Sequence, residues 1–200
     1  IGKGFDFKAG QFAFLSFMEK GLREPHPFTI ACAHRENGQL EFVIRALGDY
    51  TKTLRERVKV GMVADIYAPY GHFKRPSGAA KEIWIGAGVG ISPFIAWLQD
   101  PLGERFDKAT LIYCFNPARA FPPAEQLQGV AEQRGVQFMA NSGGTAQLAD
   151  HLRQLLTHTA PETVHISFCG PKGLLQRVRE LMREHGVPAQ NLHVELFEFR

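Results

Sequence analysis

Two hundred residues, 44% hydrophobic and 22% charged, describe a chain that buries a core and is long enough for one large domain or two small ones. A formal net charge of +3, with 23 Lys+Arg scattered along the whole length, lacks the basic stripe of a nucleic-acid binder. The odd set Cys32, Cys114 and Cys169 has no C-x-x-C pair, so no disulfide framework, zinc or iron–sulfur site is expected, and reduced thiols in a cytosolic setting are the default.

No apolar run approaches the ~20 residues of a membrane span, and the opening does not read as a signal peptide. The first residues, "IGKGFDFKAGQF", read instead as an entry into the middle of a fold, as in a piece cut from a longer chain. Strands are predicted at "FAFLSF", "FTIACA", "LEFVIRAL" and "VADIYAPYG", which are rich in β-branched and aromatic residues and punctuated by glycine, proline and asparagine. "GDYTKTLRERV" is predicted as a helix, with Asp49 as N-cap, Leu54 and Val58 at helical spacing, and Arg55 and Arg57 near its end. In "EPHPFTIAC" the two prolines fix their own φ and extend Glu24 and His26, so Phe28, Thr29 and Ile30 enter a strand from a rigid lead.

After about Gly78 the rhythm changes. Short apolar strands, "EIWIGAG", "ATLIYCF", "VQFMA", "VHISFCG" and "LHVELFEF", alternate with helical segments. That alternation predicts a parallel five-stranded α/β sheet with right-handed crossovers. Two domains are expected, 1–79 and 80–200. "IWIGAGVGISPF" places Gly86, Gly88 and Gly90 at a strand-to-helix turn, where backbone N–H groups and the helix dipole suit a pyrophosphate. Ile91 stands where a Rossmann fingerprint has its third glycine, so a plain tight turn is an equal reading. Cys169, at the end of the fourth of these strands, faces the ligand crevice by the switch-point rule, though a buried cysteine is usually inert packing.

Taken in order, "AGQF", "HPFTIA", "IRALGDYTKTL", "APYGHF", "GAGVGISPF", "FCGPKGL" and "HVELFEF" resemble the ferredoxin–NADP+ reductase superfamily over essentially the whole chain. Its H-P-F-T form is similar to the dehydrogenase module of NADPH oxidases and ferric reductases. The resemblance implies an antiparallel FAD-binding β-barrel, incomplete at its N-terminus, followed by the nucleotide-binding α/β domain. It implies an FAD-dependent NAD(P)H oxidoreductase that passes hydride to the flavin and then single electrons to a haem or ferric acceptor.

On this resemblance Phe28 packs on the isoalloxazine and Thr29 reaches its N5 edge. His26, with Pro27, replaces the arginine that pairs with the flavin pyrophosphate. Arg45 restores that charge, and Gly48 and Thr51 of the following turn approach the phosphate. Gly86, Gly88 and Gly90 hold the pyrophosphate of the nucleotide, Pro93 shapes the turn, and Cys169, Gly170 and Pro171 lie by the nicotinamide. Phe197 covers the flavin face, with Phe199 as its alternative. The catalytic set is thus Thr29, Cys169 and Phe197. Arg119, with no acidic residue at 114–120, favours NADP over NAD.

The partner implied is NAD(P)H together with a membrane haem domain upstream of Ile1. The whole protein then sits in the inner or plasma membrane with this part on the cytoplasmic side. Two alternatives stand: a soluble reductase for a ferredoxin, an oxygenase or a globin haem, and a non-catalytic electron-relay subunit. Two further expectations follow from the incomplete barrel. Strand edges near 11–17 are exposed and FAD is held weakly, whereas 80–200 keeps nucleotide binding because it has its own core.

Overall fold

A computed structural model of the protein describes residues 6–35, 37–76, 78–100 and 105–196. Its first half holds a three-stranded antiparallel sheet, order β2-β1-β3, made of β1 (Phe12–Phe17), β2 (His26–Thr29) and β3 (Ala64–Tyr70). Alternation along β1 turns Ala13 and Leu15 into two small cores with Ile30 and Cys32, and with Leu22, Phe28 and Leu54. Phe12 and Phe14 face the other way, each meeting the Tyr70 ring, at 5.8 and 5.3 Å.

The expected exposed edge at 11–17 is therefore corrected: β1 is paired on both sides. Two returns of the chain close on it, with Phe17 N–H donating to Leu22 O and Met18 N–H to Val63 O, at 2.9 and 3.0 Å. The predicted strand "LEFVIRAL" is also corrected. It keeps a single bridge, Ile30 to Phe42, and one Ala31 N–H to Glu41 O bond of 2.7 Å. Phe42 and Ile44 still pack into the small cores. Strand-like composition reports a half-buried surface, and that requirement is met here without a ladder.

The predicted helix is α1 (Asp49–Arg57), with Gly48 and not Asp49 as N-cap. Thr51 Oγ1 accepts the N–H groups of Leu47 and Gly48 at 2.9 and 3.1 Å, closing the turn that Asp49 was expected to cap.

The second half follows the predicted alternation closely: β4 (Lys81–Ala87), α2 (Ser92–Gln99), β5 (Ala109–Cys114), α3 (Ala124–Gln133), β6 (Gln137–Asn141), α4 (Gly144–Leu156), β7 (Val164–Cys169), α5 (Lys172–Glu184) and β8 (Leu192–Glu195). The sheet is parallel, order β6-β5-β4-β7-β8, so the chain reverses direction beside β4. Strands buried on both faces explain the continuous apolar runs. Ile83, Ile85, Ile112, Ile166 and Phe168 pack with α4 and α5, while Trp84, Leu111 and Tyr113 pack with α2 and α3.

The expectation that 80–200 has a core of its own needs amendment. Phe73 belongs to the α2 core, stacked 5.1 Å from Trp97, and Trp97 Nε1 donates to Ala9 O at 3.0 Å. Arg75 grips the buried Glu82 through two bonds of 2.6 and 2.8 Å, and Glu82 also accepts from Trp84 Nε1 at 3.0 Å. The two halves are thus pinned at the base of β4. No described helix is long and apolar enough to cross a membrane.

Candidate functional site

One cavity of about 690 Å³ opens where the two halves meet. One wall is β2 with the 43–51 segment. The other is the turn 87–92 at the carboxyl end of β4, joined by 114–116 after β5 and by Gly170 and Pro171 after β7. This is the place that a reversal of strand order reserves for a ligand.

On the first wall, the proline lead delivers His26 to a stack against Tyr50, the second residue of α1, with ring centroids 3.6 Å apart. His26 Nε2 is buried and has no hydrogen-bond partner, and Glu24 stands 3.9 Å off. Burial, with a smaller contribution from Glu24, raises the Tyr50 phenol pKa, and its O–H donates to Leu22 O at 3.3 Å. Thr29 Oγ1 is likewise buried without a partner. A buried hydroxyl left unpaired costs about 1–3 kcal/mol, so two orphaned polar atoms on a cavity wall fit a ligand that supplies the missing bonds. Phe28 borders this wall, but its ring is buried in the core with Leu15, Leu22 and Leu54 and does not present the flat face expected of it, and Arg45 adds a cation from an exposed position.

On the second wall, each glycine has its own reason. A Cβ on Gly90 would collide with the carbonyl O of Cys169, and one on Gly170 would come within 2.7 Å of Ala87 Cβ. The β4–α2 turn and the β7–α5 turn are therefore backbone against backbone. Gly88 adopts φ +55, in the left-handed region. Gly86 lies off the cavity, where a Cβ would meet Ile91 and Phe94 within 3.1 Å, so it serves strand–helix packing. Pro93 is buried at the start of α2 and fixes the helix entry without lining the cavity.

Of the other candidates, Pro27, Gly48 and Thr51 line the cavity and Arg119 does not. Arg119 is exposed on a one-turn 3-10 segment, Pro117–Arg119, whose Ala118 N–H is held by Asn116 Oδ1 at 3.0 Å. Cys169 is fully buried behind Gly90, and burial, then Glu195, drives its thiol pKa well up, so no reactive thiolate faces the cavity. Phe197 and Phe199 lie outside the described residues. The sequence reading missed Tyr50, Cys114 and Asn116. Cys114 touches the cavity, with its pKa pushed up to about 11 by burial against the lowering effect of Asn141 Nδ2, 3.0 Å from its sulfur. Its place at the end of β5 was the available signal.

The residues present therefore fit a flat, polar-edged ring system with phosphates, and comparison with known proteins agrees. Residues 2–81 match the FAD-binding domain family. The probable dihydroorotate dehydrogenase B (NAD(+)) electron transfer subunit of Methanopyrus kandleri is 27% identical over 189 residues, covering 92% of this chain and 67% of that protein. Dual oxidase 2 of Sus scrofa is 34% identical over 108 residues, 49% of this chain and 7% of the oxidase. The chain thus spans from 7% to 67% of these relatives' lengths. A ferredoxin NADP+ reductase from Neisseria gonorrhoeae, solved with bound FAD and NADP, superposes with a TM-score of 0.79 at 19% identity, covering 98% of this chain and 89% of that one. Residues 2–81 are thus similar to an FAD-binding domain, and the whole chain has the two-domain fold seen in a ferredoxin NADP+ reductase.

Proposed function

We propose that this chain is the reductase module of an electron-transfer protein, oxidising NAD(P)H and passing electrons singly to a haem or ferric acceptor. The observation that carries the reading is the pairing, in one cavity, of the orphaned Thr29 and His26 atoms with the glycine turns at 88–90 and 170. When bound, FAD takes a hydride and releases electrons one at a time, chemistry that no side chain here supplies.

The residues would divide the work as follows. Pro27, held by the core packing of Phe28 behind it, borders a flat ring, and Thr29 and His26 supply polar contacts at its edge and towards its phosphates. Arg45, Gly48 and Thr51 meet the phosphates at the start of α1. Gly88, Gly90, Gly170 and Pro171 let a second nucleotide approach the sheet, with Gly86 and Pro93 shaping the turn behind it. Cys169 acts through packing beneath that surface. The domain boundary falls at 79/80, within the strap from Phe73 to Glu82. Arg119, beside Asn116 and with no acidic residue at 114–120, supports NADP over NAD.

The dual oxidase match supports an acceptor haem in a membrane domain, with this module on the cytoplasmic side of an inner or plasma membrane. The match to an electron transfer subunit, over more of this chain, supports the second reading, a reductase that serves a separate partner protein. Anaerobic mixing of flavin-loaded protein with NADPH and with NADH is the test. The expected result is bleaching of flavin absorbance, faster with NADPH. No bleaching with either would leave the non-catalytic relay subunit, and faster bleaching with NADH would remove the weight on Arg119.

A further inference from the structure

Glu24 and His26 stand two residues apart on a lead that prolines hold extended, each proline pushing the residue before it out of the helical region. Residues two apart on an extended chain share a side, and Glu24 Oε2 comes to 3.9 Å from His26 Nε2. That nitrogen is buried and has no hydrogen-bond partner, which leaves Nδ1 for a ligand. His26 lines the cavity, and its ring lies on that of Tyr50, with centroids 3.6 Å apart and planes within 26°.

Three features of this place suit an imidazolium. A carboxylate stands beside Nε2, and its field reaches the ring stack, since Glu24 adds to burial in raising the Tyr50 phenol pKa. An aromatic face attracts a cation laid against it. The cavity is also short of positive charge: among the described residues that line it, Arg45 is the only lysine or arginine, and Asp49 stands against it. An imidazolium donates from both nitrogens, and a buried charge is tolerated only when it is paired. Glu24 answers one nitrogen, and a phosphate oxygen would answer the other.

We propose that Glu24 and His26 form a carboxylate–imidazolium pair that becomes the second cation of the flavin wall, so that each FAD bound draws a proton onto His26. The proposal rests on the reading of this wall as the flavin site. It makes Glu24 a positioning residue, acting on the phosphates through His26.

The charged groups facing His26 are Glu24 on its own lead and Arg45 and Asp49 on the 43–51 segment, while Leu15, opposite it on β1, is apolar. Carboxylate and guanidinium groups as classes titrate outside the range from about pH 6 to about pH 8. The Tyr50 phenol is moved further above that range by burial and then Glu24, and burial pushes the Cys114 thiol up to about 11. An imidazole is the side chain whose proton can follow a ligand there. A proton held only in the loaded protein makes flavin binding tighter at acid pH and weaker as pH rises, by up to about tenfold per pH unit.

The test uses full-length protein freed of flavin and titrated with FAD by calorimetry, at about pH 6 and about pH 8, in paired buffers of low and high ionisation enthalpy. The wild type is expected to take up close to one proton per FAD at the higher pH, and to bind on the order of tenfold more weakly there. Riboflavin, which lacks the phosphates, takes up none. His26→Arg carries its charge throughout, so it keeps FAD binding and loses both the proton uptake and the pH dependence. Glu24→Gln binds FAD up to about fivefold more weakly near neutral pH, the span of an exposed ion pair, and the loss fades at acid pH.

Equal FAD affinity at the two pH values, with no proton taken up by the wild type, overturns the pair, and that result needs no variant to fold. A histidine that only packs on Tyr50 gives this result and a lower melting temperature on replacement. The same proton taken up with riboflavin overturns the assignment to phosphate. Full-length protein that binds no FAD at either pH overturns the flavin reading itself, and the pair with it.

Discussion

Thr29 shows how one side chain can be wrong for an empty protein and right for a loaded one. Its methyl packs, but its hydroxyl is buried without a partner. Thr29→Val removes the unpaired hydroxyl at nearly constant volume. The expected outcome is unchanged or higher stability without flavin, by up to about 1 kcal/mol, and weaker flavin binding. Chemical denaturation of the flavin-free protein and a flavin titration check the two halves, and a large loss of stability would mean that the hydroxyl has a partner in the empty protein. This contrast was legible in advance only in part. The Pro-His-Pro lead marked Phe28 and Thr29 as aimed residues, whereas the orphaned state of Thr29 Oγ1 depends on which distant segments the fold brings around it.

At the level of elements, the decisive contact is turn against turn. The β4–α2 turn crosses the end of β7 so closely that Gly90 has no room for a Cβ against the Cys169 carbonyl, which is backbone and cannot swing aside. Gly90→Ala should therefore force a backbone shift, costing about 1–3 kcal/mol and weakening nicotinamide nucleotide binding, as read by thermal melting and calorimetry. Gly86→Ala should destabilise by packing against Ile91 and Phe94. The glycine spacing was plain in the sequence. Which glycine meets a ligand and which meets a helix was not, because that depends on how far each turn stands from β7.

Across the whole molecule, the strap between the sheets matters more than either sheet's outline. Phe73 is 5% exposed and belongs to the α2 core, although its chain neighbours lead out of the first sheet. Phe73→Ala should cost about 3–5 kcal/mol. Tryptophan fluorescence, which reports Trp84 and Trp97 in that core, should shift its unfolding midpoint along with far-ultraviolet circular dichroism. A shift in dichroism alone would mean that the strap supports only the first sheet. The same strap places β2 opposite the 87–92 turn, so the cavity exists only when both halves are assembled.

Much of this protein was settled by its sequence alone. Alternating apolar strands and amphipathic helices after Gly78 dictated a parallel sheet, because a buried strand and a helix each have one way to hide their apolar side chains. The glycine turn and the stiffened H-P-F-T entry likewise marked the two cavity walls, since proline and glycine act on the backbone wherever they stand. Tertiary structure alone decided that β1 is central, that 40–47 keeps one bridge in place of a ladder, and that Cys169 is sealed behind Gly90. It also brought Tyr50 onto His26. Each of these depends on register or on approach between segments far apart in the chain, and local periodicity carries no information about either.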